Sequence, residues 1–485
     1  MSDRIEVVRP ARDVARWNRE TEVLVVGLGC AGACAARGAA QAGAKVIVLE
    51  RASGGGGTSA MSGGVLYLGG GTPIQKECGY EDSAEEMFKY LMASAGPKPD
   101  ESKIRAYSDG SVEHYHWLVE QGVPFKAGYY AEYSGEPPND VALVTSGSEY
   151  AYPFCEMAEP APRGHCPQID GAAGGFLMQK LCAAVDREPN IEVITDARTT
   201  LLVQNEDGAI EGVIAHKDGE ELALTASGGV IVTTGGFINN DAMIDTNAPL
   251  VRKCSMRVGA DGDDGSGIQM GLGAGASAIH LDCASISMPI IPPKAVTRAI
   301  LVNEQGQRYT NEDLYYGRLG ERTLYAQNGR CWLIMDDETF VRPDHGPTEP
   351  TAVAETVAEL ERDLGMPETS LQSTVDLYNR HARNGQDPLF RKAEKWITPL
   401  ENPPFAAIAW CTDSALFAAF TLGGLQTDAD SHVMTPAGET IPRLYAAGRA
   451  SSGIAAPGYS SGLSLGDGSF FGRRAGQTAA AAARG

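Results

Sequence analysis

The spacing of apolar and polar positions along the chain changes several times, and each change marks an element. Residues 23–27 read VLVVG, a short continuous apolar run as expected of a buried parallel strand, which is covered on both faces. The Ala-rich segment LGCAGACAARGAAQAG follows and suits a tightly packed helix, and KVIVLE then supplies a second buried strand ending at Glu50. Apolar spacing through MFKYLMAS and HYHWLVEQGV predicts helix within 84–126. Between 191 and 237 the pattern is strand-rich: IEVITDA, TLLVQNEDGAIEGVIAH with a D-G turn, then GGVIVTTGG. Residues 281–410 change character, with more Pro, Arg and Tyr and fewer strand–glycine turns. The glycine-rich apolar pattern returns at 440–476, in RLYAAGRASSGI and GYSSGLSLGDGSFFGRRAG.

The first strand, helix and strand carry G-x-G-x-x-G at Gly27, Gly29 and Gly32. The three glycines permit, in turn, a sharp bend, close approach of backbone to a pyrophosphate, and tight helix–strand packing. The helix then opens at Cys30 and Ala31 with free N–H groups and a positive dipole end facing the phosphates. Glu50, at the end of the second strand, can accept hydrogen bonds from ribose hydroxyls. This ordered set predicts a Rossmann-type α/β dinucleotide-binding domain. After Glu50 and Arg51, the loop SGGGGTSAMSGG offers bare N–H groups at Gly57, Gly63 and Gly64 and hydroxyls at Thr58, Ser59 and Ser62, a phosphate and flavin cradle. The run VTTGG brings Thr234, Gly235 and Gly236 to a strand end, another place for close approach to a cofactor. A second glycine cluster, GLGAGA at 271–276, lacks both a preceding strand and a partner acid and reads as a helix C-terminus and turn. There is one dinucleotide site, not two.

Composition narrows the classes. A chain of 485 residues is long for one core, and we expect a first domain from 1–280, an inserted one from 281–410, and completion of the first by 411–485. The formal charge of -22 argues against nucleic acid as a partner. Ten scattered cysteines show no CxxC or paired zinc spacing, and no HExxH occurs, so metal, cluster and attached haem are not expected. His114 and His116, two apart, would point away from each other on a helix. The first twenty residues are charged and lack an apolar signal region. Val23 to Ala44 is nearly free of charge, but its glycines suit a nucleotide-binding turn better than a membrane span. The expectation is a reduced, cytoplasmic chain with no membrane span.

The ordered motifs VLVVGLGCAGACAA with Glu50, GGTSAMSGG, VTTGGF at 232–237, GADGDDGSGIQM, GQRYTNED at 306–313, TLGGLQTD at 421–428 and AAGRASSGI resemble the flavoprotein superfamily of fumarate reductases and 3-ketosteroid dehydrogenases. The resemblance implies FAD rather than NAD, with the flavin between the Rossmann-type domain and an inserted α+β substrate (capping) domain. It adds Ala197, Asp264, Gly448, Arg449, Gly462, Ser464 and Leu465 to the expected cofactor contacts.

Departures from the superfamily pattern carry the functional expectation. Where its dicarboxylate reductases have His-His-Thr before the GGL motif, this chain has Ala419, Phe420 and Thr421. Their acid-catalyst arginine, five residues after the motif Asn (here Asn311), corresponds to Tyr316. Their C-terminal substrate arginine corresponds to Tyr459, in APGYSSGLS. A dianion would lose charge-assisted hydrogen bonds worth about 1.5–3 kcal/mol each, whereas a neutral apolar ketone suits tyrosine and phenylalanine. The GYSSGLSLGDGSFFGRRAG ending, and Arg449 in place of the more usual acid, look closest to the 3-ketosteroid Δ4-(5α)-dehydrogenases. That likeness implies Tyr459 as the base for the α proton, with Ser461 and Tyr316 relaying it. Tyr315 is the competitor for Tyr316, since a one-residue gap exchanges them. It also implies Phe420, Gly458 and Gly462 at the substrate, backbone N–H groups from Gly462 to Leu465 at the reduced flavin, and an external electron acceptor. A Δ1-ketosteroid enzyme, an enzyme of another apolar enone, and a non-catalytic FAD-binding protein are the alternatives.

Overall fold

The computed structural model describes residues 6–132 and 137–485. Its main sheet holds five parallel strands in the order Ile191–Ile194, Val46–Leu49, Arg19–Val26, Glu220–Val232 and Thr440–Ala446. The first strand is longer than its apolar run, because only its last four residues are fully buried. Glu220–Val232 serves two neighbours on one side. Its first half pairs antiparallel with Ile210–Lys217, and its second half pairs with Thr440–Ala446. The switch falls at Gly228–Gly229, where the register also shifts and Gly229 has a φ of +117°. A Cβ at Gly229 would lie 2.3 Å from the carbonyl oxygen of Arg443, so a side chain there would push Thr440–Ala446 off the sheet.

The helix Cys30–Gln41 covers one face of this sheet, and the C-terminal helix Leu463–Ala482 packs on it. The crossing is close because glycines lie in it. A Cβ at Gly472 would sit 2.3 Å from the Ala31 carbonyl oxygen, and one at Gly476 would sit 2.1 Å from that of Ala35. The last residues of the chain thus return to the first helix, which explains the recurring glycine pattern at 440–476.

The expected helical stretch forms two helices, Ala84–Ser94 and Glu101–Glu120, separated by a segment containing Gly96, Pro97 and Pro99. His114 is buried against Trp117, its imidazole pKa pushed down to about 3 by burial, while His116 faces solvent. GLGAGA ends the helix Ser266–Gly273 and turns, as its pattern indicates.

Residues 300–409 build a separate four-stranded sheet, Ile300–Val302, Trp332–Met335, Phe405–Ala409 and Ala352–Ala354, with its own apolar core beneath the helices Val357–Asp363 and Ser370–Ala382. A small sheet of Met256–Arg257, Ala418–Thr421 and Ala284–Ser287 joins the strands that flank this region. Among the described residues no helix is long and apolar enough to cross a membrane, and no cluster of His, Cys, Asp or Glu could hold a metal ion.

Candidate active site

A cavity of about 730 Å3 runs from the end of the first strand to the start of the C-terminal helix. At its nucleotide end Gly27 adopts a φ of +101°, and a Cβ there would lie 2.6 Å from the Thr233 carbonyl oxygen. Gly32 does not reach the cavity. A Cβ on it would stand 1.9 Å from the Gly27 carbonyl oxygen, so its part is to let the helix meet the turn. Gly29 is different, because a Cβ there would meet only ordinary contacts inside the protein. Its missing side chain keeps space open before the helix N-terminus, where Cys30 donates its N–H to Ser59 Oγ at 3.2 Å and Ala31 lines the wall.

The Glu50 carboxylate is 9% exposed and accepts the N–H groups of Leu28 and Ala52, each at 2.8 Å. That clamps it at the mouth of the turn. Ala197 stands beside it, donating its N–H to the Glu50 carbonyl at 2.9 Å. The loop residues Gly57, Thr58, Ser59, Ser62, Gly63 and Gly64 all line the cavity. Three of their hydroxyls are already engaged, that of Ser59 by the Cys30 N–H. Ser62 Oγ donates to the Ser59 carbonyl, and Thr58 Oγ1 donates to Asp263 Oδ2, both at 2.8 Å. Within the protein all three hydroxyls shape the loop, Thr58 and Ser62 also accepting the N–H groups of Ala260 and Gly64.

The neighbouring acids Asp263 and Asp264 separate. Asp263 lines the cavity, whereas Asp264, the expected contact, lies outside the wall. Asp264 instead pairs with Arg51 and Arg198 at 2.9 and 3.2 Å and accepts the Ser266 N–H at the start of a helix. Adjacent residues in a turn project to different sides, and the sequence does not say which faces inward. Of the VTTGG run, Thr234 and Gly235 line the wall, while Gly236 packs against Thr421 and Arg449 behind it.

The other end of the cavity is built of hydroxyls and apolar rings. Tyr459, Ser461, Gly462, Ser464 and Leu465 come from the approach to the C-terminal helix, Tyr315 and Tyr316 from the start of the helix Tyr316–Glu321, and Phe420 from the small sheet. Both tyrosines of the pair face the cavity, with ring centroids 4.4 Å apart. Burial and its tyrosine neighbours push the Tyr315 pKa far up, and a hydrogen bond with Ser461 opposes that rise. Its backbone N–H is held by Ser148 Oγ at 3.1 Å, and that of Ser461 by the Ser146 carbonyl at 2.8 Å. Gly458 is absent from the wall. It packs on the Ser94 carbonyl and Arg318.

Tyr459 is buried, and Phe420 meets its ring edge-on at 5.2 Å. Burial pushes its phenol pKa up. Hydrogen bonds from Ser464 and from the Gly462 N–H (3.3 Å to Oη), and the positive charge of Arg449, oppose that rise. The helix start expected at the flavin therefore also serves this phenol.

The motif GQRYTNED proves to be an anchor. Arg308 makes paired contacts of 2.8–3.0 Å with Glu312 and Asp387, and Lys392 lies 3.0 Å from Glu312, all buried. This cluster holds the segment leading to Tyr315 and Tyr316. Arg318 does not stand in for the missing arginine; it donates to the Ser94 carbonyl at 2.8 Å and lies outside the wall.

The cavity suits a dinucleotide on its own terms. Its volume falls within the roughly 300–1,000 Å3 of small-molecule sites. It joins a helix N-terminus and a clamped acid to glycine-lined walls, and it holds two buried polar atoms with no partner in the protein, Thr234 Oγ1 and Arg449 Nη1. Fold and site together define a flavoprotein oxidoreductase of the fumarate reductase and ketosteroid dehydrogenase type. The FAD binding domain family matches residues 22–463, and the chain belongs to it; its cofactor is FAD. The chain is 44% identical to 3-ketosteroid-Δ4-(5α)-dehydrogenase from Rhodococcus jostii, whose crystal structure with 4-androstene-3,17-dione superposes with a TM-score of 0.92 over 98% of this chain and 99% of that one. It is 30% identical to 3-oxo-5-alpha-steroid 4-dehydrogenase of Comamonas testosteroni, covering 90% of this chain and 94% of that protein. Identity to 3-oxosteroid 1-dehydrogenase of Mycolicibacterium smegmatis is 26%, over 90% and 93%.

Proposed function

We propose that this chain introduces the Δ4 double bond into a 5α-3-ketosteroid. The observation that carries the reading is the cluster of Tyr459, Ser461, Tyr315 and Tyr316 at the apolar end of the cavity, where the wall arginine, Arg449, is paired through Nη2 with Asp263 at 2.6 Å. Among the described residues a carboxylate substrate would find there no arginine without a carboxylate partner of its own, and a ketone would find hydroxyl donors. The likeness to two Δ4 enzymes supports the same reading.

Desaturation beside a ketone removes a proton from the α carbon and a hydride from the β carbon. When bound, FAD supplies the acceptor for the hydride. Tyr459 Oη takes the α proton, and the N–H groups at the start of the C-terminal helix hold its phenolate form. Ser461 passes the proton on through its hydrogen bond to Tyr315, with the tilted ring of Tyr316 beside it. Phe420 and Ala418 cover the apolar body of the substrate. Residues 281–410 are the substrate (capping) domain in this reading, with 1–280 and 411–485 holding the cofactor. Electrons leave to an external acceptor, in the cytoplasm.

The test is anaerobic mixing of the purified FAD-loaded protein with a 5α-3-ketosteroid while flavin absorbance is followed. Bleaching with a 4-ene-3-ketone as product is the expected result. A 1-ene product would move the chain to the Δ1 reaction, and absence of bleaching would discard the steroid.

A further inference from the structure

Among the described residues three arginines line the cavity. Arg51 and Arg198 share Asp264 and belong with Glu50 at the nucleotide end. Arg449 stands where the two ends meet. Its guanidinium carbon lies 5.7 Å from the centroid of Phe420, which packs on Tyr459, and its Nη1 and Nη2 lie beside Gly236 and Gly235 of the cofactor wall. The side chain is 13% exposed and its partner Asp263 is 5% exposed. Nη2 donates to Asp263 Oδ2, whereas Nη1 is buried with no partner. Asp263 is itself held by the Thr58 hydroxyl.

We propose that Arg449 is the shared counter-charge of the reaction, facing the Tyr459 phenolate before turnover and the reduced FAD after it, with Asp263 setting how much of its charge is available. The proposal rests on the reading of Tyr459 as the base. In that step the phenolate forms an O–H bond with the α proton and becomes neutral. The β C–H bond breaks, its electron pair leaves with the hydrogen for FAD, and the carbon–carbon double bond forms. FAD gains two electrons and one proton and carries one negative charge, so the unit of charge that leaves Tyr459 reappears on the cofactor. A cation between the two stabilises both states, and a side chain 13% exposed is screened less than one at the surface. Arg449 is among the groups that pull the Tyr459 pKa back down against burial, in accord with this placement.

The test uses the FAD-loaded protein without any steroid and measures its reduction equilibrium against a reference dye under anaerobic conditions. Arg449→Met is expected to shift the equilibrium toward oxidised FAD at least tenfold, about 30 mV for a two-electron couple. Arg449→Lys is expected to shift it less, and Asp263→Asn in the opposite direction. Values for Arg449→Met within threefold of wild type would overturn the proposal, as would the same direction for Arg449→Met and Asp263→Asn. If Arg449→Met does not retain FAD, opposite directions for the Lys and Asn variants support the proposal and equal directions overturn it. No steroid enters this measurement, so failure of the steroid reading would show separately as absence of bleaching. Where a steroid does bleach the flavin, Arg449→Lys is expected to move the pH at which bleaching accelerates upward.

Discussion

At the scale of single residues the site turns on the competition at Tyr459. A helix N-terminus in a partly buried setting stabilises an anion by up to about 2 kcal/mol, little more than one pKa unit. Desolvation of a fully buried phenol acts the other way and wins, so the pKa stands above its ordinary value of about 10. A base with a raised pKa is mostly protonated at neutral pH, and the rate grows as the phenolate fraction grows. Bleaching of the flavin by substrate in stopped flow is therefore expected to accelerate from pH 7 to pH 10 without reaching a plateau; a plateau below pH 8 would assign the base elsewhere. Tyr459→Phe is expected to slow bleaching by at least about a hundredfold while the protein stays yellow, and near-normal turnover would remove the tyrosine from the base role. Tyr315→Phe is expected to slow the reaction, because Tyr315 hydrogen-bonds with Ser461, and an unchanged rate would take Tyr315 out of the relay.

Among elements, two contacts set where those residues stand. The buried cluster of Arg308, Glu312, Asp387 and Lys392 fixes the approach to the tyrosine pair, and Glu312 meets both cations. Glu312→Gln would leave two buried cations short of a counter-charge, at a cost of about 3–5 kcal/mol. Denaturant unfolding should show that loss, and an unchanged midpoint would mean that the cluster is not what holds the segment. The crossing of the helices Cys30–Gln41 and Leu463–Ala482 depends on close backbone contact. Gly472→Ala would place a methyl 2.3 Å from the Ala31 carbonyl oxygen and is expected to destabilise the protein by about 1–3 kcal/mol. Because Ala31 lines the cofactor cavity, the same variant should release FAD more readily, read as free flavin fluorescence after gel filtration.

For the molecule as a whole, the cavity lies where the parallel sheet, the returning C-terminal helix and the 300–409 region converge, so its wall draws on parts of the chain far apart in sequence. A ligand bound by so many segments stabilises them together. At free FAD a thousandfold above its dissociation constant the gain is about 4 kcal/mol. Stripping FAD should lower the thermal midpoint, and adding FAD, but not NAD, should restore it. Equal midpoints for the two forms would mean that the cavity is built without help from its ligand.

Local order was legible in the chain because local rules produce it. The run from Val23 to Glu50 announces strand, glycine turn, helix and acid, since each needs only its neighbours to be specified. Set against the superfamily pattern that the chain resembles, tyrosines at 316 and 459 in place of arginines were equally visible, because charge is a property of the residue itself. Tertiary structure alone decided what depends on which side a residue faces. Asp263 rather than Asp264 turns inward, both Tyr315 and Tyr316 reach the cavity, and Gly32, Gly236 and Gly458 serve packing. The placing of both Arg449 and Tyr459 beside Phe420 also belongs to the fold. Direction in a turn follows from backbone dihedrals and from the contacts of distant segments, and neither is written in the spacing of residue types along the chain.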